Sequence, residues 1–113
     1  MGKIANKNNR YICVVKKISP VDINNYEEIE KLIKVLGNRT RLAVLYVLIK
    51  HKEICACDLE KPLKLPQSTV TLSLLALYRA GFLNKRKDWR FTYYSIKERY
   101  RNIIEEILQL SNK

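Results

Sequence analysis

A chain of 113 residues with 47% apolar content suits one domain with a modest core, and is too apolar for general disorder. Its 22 Lys and Arg against 11 Asp and Glu leave a formal net charge of +11, an excess that a compact fold relieves by meeting a polyanion: duplex DNA, RNA or an anionic membrane surface. Three cysteines, two of them separated by one residue, do not make a secreted disulfide framework. No apolar run reaches the ~20 residues that span a bilayer, and Met1–Arg10 lacks a secretory apolar segment, so a cytoplasmic protein without a membrane partner is expected.

In chain order, residues 1–9 read as a disordered basic tail and 10–18 as a short extended arm; together 1–19 form a flexible N-terminal arm before a folded unit over 20–113. Tyr26, Ile29, Ile33 and Leu36 recur at helical spacing, Glu27, Glu28 and Glu30 favour the positive end of that helix, and Gly37 stops it. Asn38 caps a second, mostly apolar helix to about Lys50. A short third helix is expected over Ala56–Lys64, starting late or irregular because of Pro62. Pro66 opens a fourth, with Val70, Leu74 and Leu77 inward and Ala80-Gly81 as its end. Strands Phe82–Lys87 and Arg90–Ile96 follow, joined at Asp88-Trp89, and a last helix runs from Lys97 to Leu110. The sum is a mainly α winged helix-turn-helix of five helices with a two-stranded β wing.

Four segments carry a family likeness. Leu36-Gly37-Asn38-Arg39-Thr40-Arg41-Leu42 is similar to an "LGNxTRL" motif. Glu53-Ile54-Cys55-Ala56-Cys57-Asp58-Leu59 is similar to "ELCVCDL". Gln67-Ser68-Thr69-Val70 through Leu74, Leu77, Ala80 and Gly81 follows "QSTVSxHLxxLxxAGL", and Arg86-Lys87-Asp88 through Tyr94 follows a wing. In order and at this spacing they resemble the ArsR/SmtB family of metal-responsive repressors. The resemblance implies a homodimer, formed by the first and last helices, on a palindromic double-stranded DNA operator. Leu72 and Ser73 stand where relatives often carry His or Arg, and Trp89 where they carry glycine.

Candidate DNA contacts are Gln67, Ser68, Thr69, Thr71 and Ser73 at the start of the fourth helix, and Lys85, Arg86, Lys87 and Arg90 on the wing. Gln pairs bidentately with adenine, Ser and Thr reach bases or phosphates, and the wing cations suit phosphate or the minor groove. The same residues also make ordinary capping and solvated positions. Leu72 either meets a thymine methyl or packs inward. Arg39 and Arg41 either meet phosphate or pair within the chain.

Thiolates suit soft ions: Cd, Pb, Zn, Cu(I) or As(III). Cys55 and Cys57 grip one ion only if their backbone is extended or unwound, because i and i+2 diverge on a helix. The resemblance implies Cys13 as a third ligand. The alternatives are a winged-helix regulator or architectural protein whose cysteines are structural or redox-sensing. His51, the one histidine, reads as a solvated cation at a helix end. No required cofactor and no enzymatic activity are expected: there is no glycine-rich phosphate loop, no nucleophile–histidine constellation and no paired carboxylates. An RNA-binding module would need stacking aromatics on a sheet, a pattern the seven tyrosines do not make.

Overall fold

The computed structural model describes the backbone of residues 3–5, 11–13 and 15–111, and the side chains of 15–111. Lys3–Ala5 (β1) and Tyr11–Cys13 (β2) pair antiparallel, with Ile4 opposite Ile12. Within the stretch 1–9, expected to be a tail, residues 3–5 are described as a strand and the rest lies outside the described residues. The Cys13 side chain lies outside the described residues.

The Asp22 carboxylate accepts from the Asn24 amide at 3.0 Å and starts a 3-10 turn, Ile23–Tyr26, that runs into α1 (Glu27–Leu36). Lys31 and Lys34 each sit 3.6 Å from the glutamate four residues earlier, the favourable order for a helix. Leu32, Val35 and Leu36 pack against the core, while Tyr26, Ile29 and Ile33 face outward. Asn38 caps α2 (Arg39–Ile49), its side-chain oxygen accepting from the Arg41 amide at 3.0 Å. Val44, Leu45 and Leu48 of α2 are fully buried at the centre of the core.

The region after α2 departs from expectation. Ile54–Cys55 is a short strand, β3, followed by a 3-10 turn at Ala56–Asp58 and a four-residue helix, α3 (Glu60–Leu63). Pro62 can donate no amide and so fits only a short helix whose first-turn amides have no helical partner anyway. Lys64 adopts a left-handed conformation (φ 55°) and turns the chain into α4 (Gln67–Arg79). Val70, Leu74 and Leu77 are fully buried, as the spacing indicates. The helix ends in a Schellman motif, with Gly81 (φ 93°) donating to Tyr78 and Phe82 to Leu77.

Strands β4 (Leu83–Asp88) and β5 (Phe91–Ile96) pair with Asp88 opposite Phe91, so Trp89-Arg90 forms the tip, one residue later than expected. β3 adds to the other edge of β5, with Ile54 opposite Tyr94, and the sheet order is β3-β5-β4. The wing is therefore rooted in three strands where the sequence suggested two. The final helix, α5 (Glu98–Leu108), continues as a 3-10 turn at Gln109–Ser111. Arg101 of α5 donates to the Ile49 carbonyl at 3.1 Å and Ile104 is buried, which fixes α5 to α2. The outward sides of α1 and α5, with the 3-10 turns that flank them, leave Tyr26, Ile29, Ile33, Ile103 and Leu110 exposed in the single chain.

Candidate nucleic-acid interface and thiol pair

The helical period assigns each polar side chain of α4 to a face. Val70, Ser73, Leu74 and Leu77 recur at i, i+3, i+4 and i+7 and form the buried side. Ser73, expected to face the groove, is only 7% exposed: its place in the period turns most of it inward despite its polarity. Gln67 and Ser68 are exposed, and Thr69 and Thr71 are half-buried. Leu72, by contrast, is 68% exposed.

Two grooves flank this outward side. One is lined by the cap residue Asn38 and by Thr40 and Arg41 of α2, together with Thr69, Leu72 and the small exposed part of Ser73. Arg41 donates through Nη1 to the Val35 carbonyl at 3.1 Å, an intramolecular bond, while it also lines this groove. The other groove, a cleft of 430 Å³, brings together Gln67 and Thr71 of α4, Cys55 and Cys57, Arg90 at the tip of the wing, and Phe91 and Thr92 next to it.

The four wing cations differ in how free they are. Arg86 is held by Glu53, with Nη2 donating to Oε1 at 2.6 Å and Nε at 3.1 Å, and it also lies 3.5 Å from Asp88 and over the Tyr93 ring. The Arg86 guanidinium keeps the Glu53 carboxyl below its ordinary range. Lys85 sits over the Tyr78 ring at 4.5 Å and Arg90 over the Trp89 ring at 4.3 Å. Both interactions leave the charge facing solvent. Lys87 makes no ion pair among the described residues. Trp89 is 78% exposed and holds φ at 59°, a left-handed conformation that glycine adopts at lower cost.

Cys55 has extended backbone (φ −80°, ψ 148°), and Cys57 lies in the 3-10 turn. This geometry turns the two side chains toward each other: Cys57 Sγ donates to Cys55 Sγ at 2.9 Å. That hydrogen bond, with burial second, pushes the Cys57 thiol up to about 11. Cys57 therefore holds its proton at neutral pH. Asp58 was not among the sequence candidates, yet it builds the site: its Oδ2 accepts from the Cys55 amide at 3.2 Å and closes a capping box with Cys55. The Cys-x-x-Asp spacing is the signal that could have found it. Glu53 was missed too, because its partner Arg86 is remote in sequence.

Two thiols this close suit one soft ion. With Zn–S bonds of about 2.3 Å, two sulfurs on one tetrahedral ion lie roughly 3.8 Å apart, so the pair needs to open by only about 1 Å. Among the described residues no group of three or more Cys, His, Asp or Glu stands ready as a complete metal site. Likewise, no described helix is long and apolar enough to cross a membrane.

Comparison with known proteins gives a consistent answer. Residues 38–85 match the family model described as "Bacterial regulatory protein, arsR family". An uncharacterised HTH-type transcriptional regulator, MJ1325 of Methanocaldococcus jannaschii, is 33% identical over 90 residues, covering 78% of this chain and 100% of that protein. The putative arsenical resistance operon repressor ArsR2 of Halobacterium salinarum is 31% identical over 78 residues, covering 68% of this chain and 66% of the relative. In shape, the chain is similar to the homodimeric winged helix-turn-helix DNA-binding domain of Mb0332 from Mycobacterium bovis. There the TM-score is 0.70 at 20% identity, with 79% of this chain and 82% of the other covered.

Proposed function

This chain belongs to the arsR family of DNA-binding transcriptional regulators, and from that premise we propose that it is a cytoplasmic repressor whose homodimer binds a palindromic operator and lets go when a thiophilic ion joins Cys55 to Cys57. Gln67, Ser68, Thr69 and Thr71 are the groove contacts of α4, and Lys85, Lys87 and Arg90 the phosphate contacts of the wing, with Arg86 held back by Glu53. Exposed Tyr26 just before α1, Ile29 and Ile33 on α1, and Ile103 on α5 supply the self-complementary surface of a two-fold dimer. Such a dimer sets its two α4 helices about one DNA turn apart, roughly 34–36 Å.

The observation that carries the reading is the shared cleft. The thiol pair opens onto the same 430 Å³ space as Gln67 and Thr71, and Cys55 is a rung of the sheet that carries the wing. Cys55 and Cys57 would hold the ion, and Cys13 is the proposed third ligand. Bound there in exchange for the two thiol protons, a divalent ion would tie β3 to the 3-10 turn without changing the net charge of the pair. Asp58 keeps the Cys55 amide fixed, so strain at the thiols passes into β3 and through its ladder to β5. That would change the angle between wing and α4, and with it the fit to DNA. A tenfold release needs only about 1.4 kcal/mol of coupling between the two sites.

The test is a titration. A duplex selected from a palindromic library is bound by reduced protein at fixed salt, and cadmium, lead or arsenite is added. Release at one ion per subunit, lost in Cys55→Ser, supports the reading. Selected DNA that no ion releases leaves a winged-helix regulator whose cysteines are structural.

A further inference from the structure

We infer that Leu72 is a specificity-determining residue of α4, reading the methyl group of one thymine in each operator half-site. The assignment rests on the operator reading above and names the base chemistry that the helix selects.

On α4, Ser68, Leu72, Leu75 and Arg79 recur at i, i+4, i+7 and i+11, a stripe opposite the buried side. Leu72 is the exposed apolar member of that stripe, at 68%, while its neighbour Ser73 is turned into the core. It forms a ridge between the two grooves: Thr69 with Arg41 on one side, Thr71 with the thiols on the other. A surface made to meet phosphates and base edges gains nothing from a leucine unless something apolar meets it. The major groove offers one such group, the C5 methyl of thymine. Leucine side chains on a helix lean toward its N-terminus, which is the end of α4 that carries Gln67 and Ser68. Leu72 thus leans toward the bases that those two residues reach. With no donor or acceptor, it cannot stand in for the polar readers beside it, so its selectivity is for the methyl alone.

The experiment separates the methyl from the base. Each thymine of the selected duplex is replaced singly by deoxyuridine, symmetrically in both half-sites, and affinity is measured by fluorescence anisotropy at fixed salt. One thymine per half-site is expected to lose about fourfold in affinity per methyl removed. Leu72→Ala is expected to bind the thymine and uracil duplexes alike. Leu72→Gln is expected to select adenine at that base, since Gln pairs with adenine N6 and N7. Circular dichroism checks that both variants keep the helix. Equal affinity for thymine and uracil at every site, or a uracil penalty that persists in Leu72→Ala, overturns the inference and leaves the operator reading standing. A selected site with no thymine does the same. Failure to select any sequence overturns both, and is seen before any uracil is introduced.

Discussion

Arg86 on the wing is clamped to Glu53, which lies two residues before the first cysteine of the pair, with a shortest contact of 2.6 Å. This clamp ranks the wing cations. Each phosphate neutralised contributes about 0.9 to the slope of log affinity against log salt. Lys87→Gln is expected to lower that slope by about 0.9 for each subunit in contact, and Arg86→Gln by clearly less. A salt titration of the two variants on one duplex measures both; equal reductions would mean that Arg86 leaves Glu53 for DNA.

Asp58 is expected to govern ion affinity without touching the ion. Asp58→Ala removes the acceptor that holds the Cys55 amide. Losses of this supporting kind lower metal affinity by about 10–100-fold. Competition against a chromophoric chelator gives the value directly, and an unchanged affinity would mean that the 3-10 turn holds itself.

The exposed face of α1 is expected to set the oligomeric state. Ile33 is 61% exposed, and a glutamate there adds charge to the surface proposed to pair with a second copy. Ile33→Glu should sediment as a monomer and bind a half-site only weakly, with unaltered secondary structure by circular dichroism. A dimer that survives would place the interface elsewhere.

Gly81 is expected to be irreplaceable for reasons of backbone alone. A Cβ there meets nothing within 4 Å, so space is no obstacle, but φ is 93°. Gly81→Ala should cost about 1–2 kcal/mol. For a chain of this length that is roughly 4 °C of melting temperature per kcal/mol. Thermal denaturation reads it.

Local signals were legible in the sequence. Asn38 as a cap, Gly81 as a stop and the Val70, Leu74, Leu77 stripe all act within one or two turns, and each stands where the spacing puts it. What failed was either non-local or decided by residue type. β3 exists because Ile54 and Cys55 find Tyr94 and Tyr93, partners remote in the chain that no local pattern announces. The Glu53–Arg86 clamp is hidden for the same reason. Ser73 was placed outward for being polar, although the period that buried Val70 and Leu74 buries it as well. The tip at Trp89-Arg90 followed from the register of Asp88 with Phe91, since alternation alone does not say where a hairpin folds. Cys13 remains a proposed ligand, its side chain outside the described residues.

The thiols sit on a sheet edge, and the outward stripe sits on a helix. Their backbones are hydrogen-bonded in separate sets, β3 to β5 and α4 to itself. Exchange of Ser68 or Leu72 leaves the β3 ladder intact, and exchange of Ala56 or Cys57 leaves the stripe intact. The proposed ion site and the proposed base-reading stripe can therefore drift, or be engineered, one at a time. Variation at Ser68 and Leu72, which lie outside the cleft that Gln67 and Thr71 share with the thiols, would pair new base contacts with an unchanged thiol site.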